Sequence, residues 1–382
     1  MTSYTEMLKV FNSFLFHAPS FNDERNWGGL IAFPFNAVID WPMASTAGLE
    51  VFNMPAVDAQ LRKVFDQWAK YLTSKASRDE VLFKTRDDGK ILGWFSDEGI
   101  KFLQTDLYSV PPDPFNPKTD PYPPATFVDA YECNPNDPSE AYGYTSWDDF
   151  FTRLFKPGFR PVESPQDNNV IVSACESDLN RIWLNAKANA QFWVKSQPYS
   201  VHDIINRDSD WKGEFGDGSC VVQAFLSARS YHRWNSPVDG TIVKSYVVPG
   251  TYFSVSPYSD LDPAAPDQSQ PYITQVATRG VIFIKADNED IGLMCFVAVG
   301  MAEVSTCEIT VNDGQPIKKG QQLGMFHHGG SSHCLIFGPA TAKKLQWNPK
   351  YIYDPPTSSD PNKDYEEDGK HHLFLSQKIA WV

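Results

Sequence analysis

The chain has 382 residues, 42% of them hydrophobic and 14% aromatic, a composition typical of a globular protein with a sizeable core. Its formal net charge of −14 at pH 7 argues against nucleic acid or an anionic membrane surface as the main partner, because both would repel it. The six cysteines contain no C-x-x-C pair, which favours reduced thiols over a zinc site or a disulfide framework.

The N-terminal region carries no clear targeting or membrane signal. Its most apolar segment, residues 27 to 43, is interrupted by Pro34 and Asp40 and is too short to cross a bilayer as a helix. The first residues lack the charged-then-apolar order of a signal peptide. We therefore expect a soluble cytoplasmic protein without a stable membrane anchor.

Residues 1–155 are predicted to form a mostly helical N-terminal domain. Apolar residues recur at helical spacing over positions 57 to 72, and Asn53 and Pro55 are plausible start signals for that helix.

A second helix is predicted at the end of this domain. Ser146 and Asp149 have the S-x-x-D form of a helix cap, and the Pro-Gly pair at 157 and 158 would stop the helix. The proline-rich stretch 110–124 cannot form regular structure and is predicted to be an exposed loop.

Residues 156–382 have a different texture and are predicted to form the catalytic domain. Short runs rich in β-branched and aromatic residues alternate with glycine, as in GVIFIKA (280–286) and CEITV (307–311). The predicted fold class is therefore α+β, with the N-terminal helical region packed on a mainly antiparallel, β-sandwich-like core.

One stretch, HHGGSSHCLIF (327–337), concentrates flexible glycines, hydroxyls and histidines just before an apolar strand. Taken alone, GGSS is more often a turn than a reactive site, and each of the two neighbouring histidines is more often an ordinary strand residue. A zinc site could in principle use His327, His328, His333 and Cys334. The spacing of these four residues matches no structural zinc pattern, so we predict no metal site.

Five blocks occur in the order seen in phosphatidylserine decarboxylases, and the chain resembles that family. The blocks are FKPGFRPV (155–162), YHRWNSPVDGTIV (231–243), PGTYFSVSP (249–257), VAVGMAEVSTCEIT (297–310) and KKGQQLGMFHHGGSS (318–332). Several matches in order are far more specific than one motif. The helical part and ACES (174–177) are most similar to the family's soluble tryptophan decarboxylases.

The resemblance implies that the chain cuts itself. Gly330-Ser331-Ser332 falls on the family's processing site, so Ser331 would attack the carbonyl of Gly330 and become a pyruvoyl group heading the segment 331–382. Glycine before the cut offers no Cβ to hinder the attack. The keto group would condense with the substrate amine and accept electrons as carbon dioxide leaves, so no pyridoxal phosphate is needed.

The resemblance also implies a carboxylate–histidine–serine relay that activates the serine. Glu176 falls on the acidic position, and the base should be the second histidine of H-R-x-H, which here is Asn235. Asparagine cannot accept a proton near neutral pH, and loss of a general base commonly costs about 10²- to 10⁴-fold in rate. Self-cleavage is expected to be slow unless another histidine takes over, the candidates being His232, His327, His328 and His333.

His232 is the first histidine of that motif, and the resemblance implies a role in substrate binding or proton delivery. Asn235 has two explanations that stay open: a substitution that traps the precursor, or natural divergence.

The predicted function is a pyruvoyl-dependent decarboxylase acting on a soluble aromatic L-amino acid, with tryptophan favoured. Two alternatives stay open: a phosphatidylserine decarboxylase, and a non-catalytic, uncleaved member of the family. Members of the family often pair, so a homodimer is one expected state. The sequence does not identify the side chains of the substrate pocket.

Overall fold

A computed structural model of the chain describes residues 3–21, 33–107, 125–190, 199–256, 269–303, 305–328, 331–349, 365–366 and 372–382. The predicted loop 110–124 lies outside these residues.

Helices dominate the described residues up to position 151, as predicted. The α-helices are α1 Tyr4–Phe14, α2 Pro34–Met43, α3 Thr46–Phe52, α4 Pro55–Leu72, α5 Lys75–Val81, α6 Asp97–Gln104, α7 Phe127–Ala130, α8 Trp147–Phe151, α9 Val201–Ile204, α10 Gln270–Val276 and α11 Pro339–Ala342. Short 3₁₀ helices lie at Thr105–Leu107 and Lys212–Glu214.

Helix α4 forms where the apolar spacing predicts it. Pro55 occupies the first turn, where a missing N–H costs nothing, whereas Asn53 ends α3 and does not cap α4. The buried face of α4 repeats at intervals of three and four residues, which turns one apolar stripe toward the core. That face consists of Leu61, Phe65, Trp68 and Leu72.

Helix α8 is shorter than predicted. Ser146 caps it by accepting a hydrogen bond from the Asp149 N–H, as expected. The helix ends at Phe151, before the Pro-Gly pair, because the following residues bond to another segment: the Glu132 N–H donates to the Leu154 carbonyl. This backbone pairing competes with further helical turns.

The second half of the chain is built from short strands. The strands are β1 Thr85–Arg86, β2 Ile91–Leu92, β3 Val170–Val172, β4 Ser177–Ala186, β5 Ser219–Leu226, β6 Arg233–Asn235, β7 Gly240–Val248, β8 Arg279–Ala286, β9 Leu293–Gly300, β10 Thr306–Ile309, β11 Pro316–Ile317, β12 Gln322–His327, β13 Ser331–Phe337, β14 Gln346–Trp347, β15 Tyr365–Glu366, β16 His372–Leu373 and β17 Lys378–Trp381.

The strands form one large sheet and several small ones. The nine-stranded sheet has the order β11-β7-β8-β9-β13-β5-β4-β15, with β16 also paired to β4. Two three-stranded sheets have the orders β10-β12-β6 and β14-β17-β3. The ladders between named strands are antiparallel, which confirms the predicted α+β class.

Strand β13 holds the centre of the large sheet. All seven of its residues are buried, and each is in register with a residue of β5 on one side and of β9 on the other. Strand β12, which precedes it, belongs to a different sheet. The chain therefore passes from one sheet to another between His327 and Ser331.

The helical region and the sheets share one hydrophobic cluster, which contains Phe35 and Trp68 from the helices and Leu335 from β13. Among the helices that the structure describes, none combines the length and the apolar character that a bilayer-spanning segment needs.

Candidate active site

Ser331 is the first residue of β13 and is fully buried. Its Oγ has no hydrogen-bond partner among the described residues. The next side chain is held, since the Gln223 amide donates to the Ser332 Oγ at 3.3 Å. The predicted residue Gly330 lies outside the described residues. A buried hydroxyl without a partner is costly, which makes Ser331 a candidate for a chemical role.

His328 immediately precedes the two glycines. It is 2% exposed and has a φ of 75°, a left-handed conformation that non-glycine residues rarely adopt. Its Nδ1 lies 3.3 Å from the Asp148 Oδ1, and its ring centroid is 5.9 Å from that of Trp68. Burial lowers the pKa of His328 to about 4, against the opposing effect of Asp148, so the ring is neutral near pH 7.

Asp148 also binds the neighbouring histidine. His327 Nδ1 lies 2.9 Å from the Asp148 Oδ1, and its Nε2 lies 2.9 Å from the Glu308 Oε2. Burial lowers the pKa of His327, but the two carboxylates outweigh burial and raise it. Both ring nitrogens of His327 are therefore engaged.

His232 lies beside β12, the strand that precedes the predicted cleavage site. Its backbone carbonyl accepts from the Phe326 N–H, and its ring stacks on that of Phe151 with centroids 3.8 Å apart. Neither ring nitrogen makes a hydrogen bond of ordinary geometry within the described chain. Burial lowers the pKa of His232 far below its usual range, and the nearby Arg153 adds to this effect.

Glu176, on the family's acidic position, forms an ion pair with Arg160, with the arginine Nη2 2.5 Å from Oε1. Its Oε2 accepts the Leu375 N–H at 2.7 Å, and His372 Nε2 lies 3.6 Å from Oε1. Burial favours the neutral acid, but Arg160 and His372 lower the pKa of Glu176 to about 2. Glu176 is a buried carboxylate with its charge already paired.

Asn235 lies at the far end of β6 from His232. It is opposite Gln322, and its Nδ2 donates to the Gly320 carbonyl at 2.7 Å. Its backbone N–H donates to the Ala174 carbonyl at 2.8 Å, which brings position 235 near the segment between β3 and β4 that carries Glu176. The side-chain bonds of Glu176 go to other residues, so the carboxylate and Asn235 do not form a relay.

A cavity of about 550 Å³ lies between α4 and the β-core. Its wall includes Thr278, whose carbonyl accepts the Gly300 N–H at 2.9 Å, and Gly300 is in register with Ser331. Neighbouring strands are about 4.8 Å apart, so this wall is roughly 10 Å from the Ser331 backbone. The cavity is therefore a candidate substrate entrance.

The cavity combines aromatic and charged walls, which the sequence did not identify. Phe65 and Tyr252 pack together with ring centroids 5.0 Å apart, and Asp58 and Arg62 also line the space. Burial raises the pKa of Asp58 to about 7, against a backbone hydrogen bond from Tyr252. Apolar surface with a few polar groups is typical of small-molecule sites.

Glu303 is a further buried carboxylate that the sequence did not single out. It is fully buried, and its Oε1 accepts the Phe35 N–H at 2.9 Å. Burial raises the pKa of Glu303 to about 8. It lies three residues after Gly300, the partner of Ser331, within the family block 297–310.

Comparison with known proteins connects this geometry to a family. Two family models, both described as phosphatidylserine decarboxylase, match residues 147–351 and residues 1–103. The chain is 40% identical over 310 residues to "Decarboxylase iboD" of Amanita muscaria (strain Koide BX008), covering 77% of this chain and 81% of the relative.

Two further relatives are named L-tryptophan decarboxylase. The protein of Psilocybe cyanescens is 38% identical over 304 residues, which cover 77% of this chain and 65% of the relative. The protein of Psilocybe cubensis is 34% identical over 344 residues, which cover 87% of this chain and 72% of the relative. Proteins named phosphatidylserine decarboxylase proenzyme are more distant, at 26% identity for the one from Schizosaccharomyces pombe (strain 972 / ATCC 24843).

Three observations indicate the same family: the five ordered sequence blocks, the buried serine where the chain passes between two sheets, and these matches. The chain is a decarboxylase that belongs to the phosphatidylserine decarboxylase family.

Proposed function

We propose that the chain is a pyruvoyl-dependent decarboxylase of an aromatic L-amino acid, with tryptophan the favoured substrate. The prosthetic group would form from Ser331 when the bond after Gly330 is cut. The observation that carries this proposal is the buried Ser331 Oγ without a partner at the first position of β13.

The residues around Ser331 fit a keto group at that position. Pairing with β5 and β9 would hold the new chain end in register, and the Ser332 hydroxyl is fixed by Gln223. When formed, the group would act as an electron sink for the bond to the departing carboxylate. The chain itself would orient the amine and keep water away, because the strand is buried on both sides.

The substrate assignment rests on the relatives and on the cavity. Two relatives are named for tryptophan, and the cavity offers the aromatic surfaces of Phe65 and Tyr252. The net charge of −14 disfavours an anionic lipid surface and agrees with a soluble cytoplasmic enzyme.

One observation favours a second candidate, an uncleaved member of the family without catalysis. Asn235 replaces the base that the family relay needs, and its side chain is bound to the Gly320 carbonyl. In that case the chain would keep an intact bond after Gly330.

Intact-mass measurement separates the two candidates. We expect the purified chain to yield two pieces, the smaller one starting at position 331 with a keto-blocked end, and to release carbon dioxide from tryptophan. Ser331→Ala should stay in one piece and be inactive. The matched control, Ser13→Ala on the exposed face of α1, should mature normally.

A wild-type chain that stays intact after prolonged incubation would overturn the proposal and support the uncleaved member. Turnover of dispersed phosphatidylserine but not of tryptophan would support the lipid-acting alternative.

A further inference from the structure

Self-cleavage at Ser331 needs a base, and position 235 cannot supply one. An amide side chain does not accept a proton near neutral pH, and the Asn235 Nδ2 is already donating to Gly320. The question is which described side chain near Ser331 can replace it.

His328 is the nearest histidine along the chain on the N-terminal side. Three peptide units separate it from Ser331, so their Cα atoms lie within about 11 Å of each other. Its φ of 75° is a strained conformation for a side chain with a Cβ, and such strain is found preferentially at functional sites. Replacement by glycine would remove the strain, so the imidazole is retained despite a conformational cost.

Asp148 gives His328 what a general base requires. The carboxylate lies 3.3 Å from Nδ1, without a hydrogen bond of ordinary geometry between them, and its negative charge can stabilise the imidazolium that forms when the ring takes a proton. With the neutral ring protonated on Nδ1, the lone pair is on Nε2. The second partner of Asp148, His327, holds the carboxylate at 2.9 Å.

The other candidate histidines lack this arrangement. Both nitrogens of His327 are bound by carboxylates. His333 stacks on Phe296, and burial alone accounts for its low pKa of about 3, with no carboxylate acting on it. His232 has Arg153 as its charged neighbour, which opposes proton uptake.

We propose that Asp148 and His328 form the acid–base pair that activates Ser331 for self-cleavage in this chain. The inference rests on the proposed function. The Oγ–H bond breaks and its proton moves to His328 as Oγ bonds to the carbonyl carbon of residue 330. The C–N bond then breaks, the proton passes to the released nitrogen of residue 331, and the peptide becomes an ester.

Cleavage kinetics of freshly expressed protein test the pair, with the appearance of the 331–382 piece followed by mass spectrometry. His328→Asn is the chosen variant, because asparagine tolerates a positive φ but cannot act as a base. We expect cleavage to slow by about 10²- to 10⁴-fold. Asp148→Asn should slow it by at least about tenfold, whereas the exposed control His17→Gln should have no effect.

Two rescues separate a base from a merely structural residue. Added imidazole should accelerate cleavage in His328→Gly, where glycine also suits the backbone. The second rescue adds Asn235→His to the His328→Asn variant. Because this change restores the histidine of the family's carboxylate–histidine–serine relay, cleavage should recover. Thermal unfolding checks that each variant is folded.

The outcomes are distinct. If the wild type cleaves and His328→Asn cleaves at the same rate, the inference is overturned while the proposed function stands. If cleavage is slowed in folded His328→Gly and imidazole restores it, the inference is supported. A folded His328→Gly that is slow and insensitive to imidazole contradicts the base role and leaves only a positioning role. A wild type that never cleaves overturns the proposed function itself.

Discussion

At the scale of single residues, the buried network of Glu176, Arg160 and His372 joins distant parts of the chain. The ion pair is 1% exposed on both sides, and His372 also binds the Asp178 carboxylate at 2.8 Å. A buried pair of this kind contributes little relative to an apolar pair, but loss of one partner leaves a buried charge. The network therefore fixes β16 against β4.

His372 makes the stability sensitive to alkaline pH. Burial lowers its pKa, but the hydrogen bond to Asp178 and the nearby Glu176 carboxylate outweigh burial and raise it to about 10, compared with 6.5 for a free histidine. A raised pKa contributes stability that is complete below pH 6.5 and is lost as the pH rises through about 10. We expect the free energy of unfolding, measured with urea, to fall over this range.

His372→Gln should be less stable than the wild type at pH 6 and should reduce that slope by about one proton. The control His202→Gln should leave the slope unchanged, because no carboxylate binds that ring among the described residues. A wild-type slope that survives in His372→Gln would contradict the assignment.

Sequence reasoning identified some of these residues and missed others for a physical reason. Glu176 and Arg160 both lie in recognisable family blocks, although their pairing does not follow from sequence spacing. His372 is almost 200 positions from Glu176, and only the antiparallel pairing of β16 with β4 brings them together. Asp148 gave no signal of its own, because the cap pattern drew attention to Asp149.

At the scale of elements, the position of β13 beside β9 depends on the turn that follows β9. A Cβ at Gly300 would lie 2.6 Å from the Ser305 Cα, which is closer than real Cβ contacts. Gly300 is in register with Ser331, so displacement of this turn would shift the strand beside the reacting hydroxyl.

Gly300→Ala should therefore destabilise the fold and slow self-cleavage, with the rate followed by the appearance of the 331–382 piece. A reduction of about tenfold or more is expected, since small misplacements of reacting groups are costly. The matched control is Gly213→Ala, where a Cβ would have nothing within 4 Å. Equal cleavage rates in the two variants would show that the turn does not position Ser331.

The elements themselves were largely predictable. Strong periodicity located α4, and β-branched runs located β8 and β10, because both signals arise from burial of one or both faces. The predicted end of α8 was wrong, because residues 154–156 form backbone hydrogen bonds with residues 130–132, and this tertiary contact has no signal in the local sequence. The division of the strands among separate sheets has no local signal in the sequence. Because of this division, the chain passes from one sheet to another between His327 and Ser331.

At the scale of the whole molecule, three buried neutral histidines set the response to acid. Burial lowers the pKa values of His232, His328 and His333 below the usual 6.5. At these three positions the unfolded chain binds more protons than the folded chain at mildly acidic pH, whereas the raised pKa values of Asp58 and Glu303 act in the opposite direction. The stability that the three histidines contribute is complete above pH 6.5 and is lost as the pH falls through and below that value.

Each of these groups should contribute about 1.4 kcal/mol of lost stability per pH unit below its unfolded pKa. Urea denaturation between pH 7 and pH 4.5 measures the slope. His333→Gln should reduce the slope by about one proton, whereas the exposed control Ser13→Ala, which removes no titratable group, should not. An unchanged slope in His333→Gln would mean that this ring is protonated in the folded chain.

The position of β13 has a consequence for the enzyme after maturation. A cut before Ser331 would release a segment whose first strand is held by two ladders in the middle of the large sheet, and whose later strands β16 and β17 pair with β4 and β3. The two products would therefore stay interlocked without a peptide link. A cleaved molecule that unfolds would have to refold from two separate polypeptides. Its lifetime in solution would therefore depend on a slow rate of unfolding.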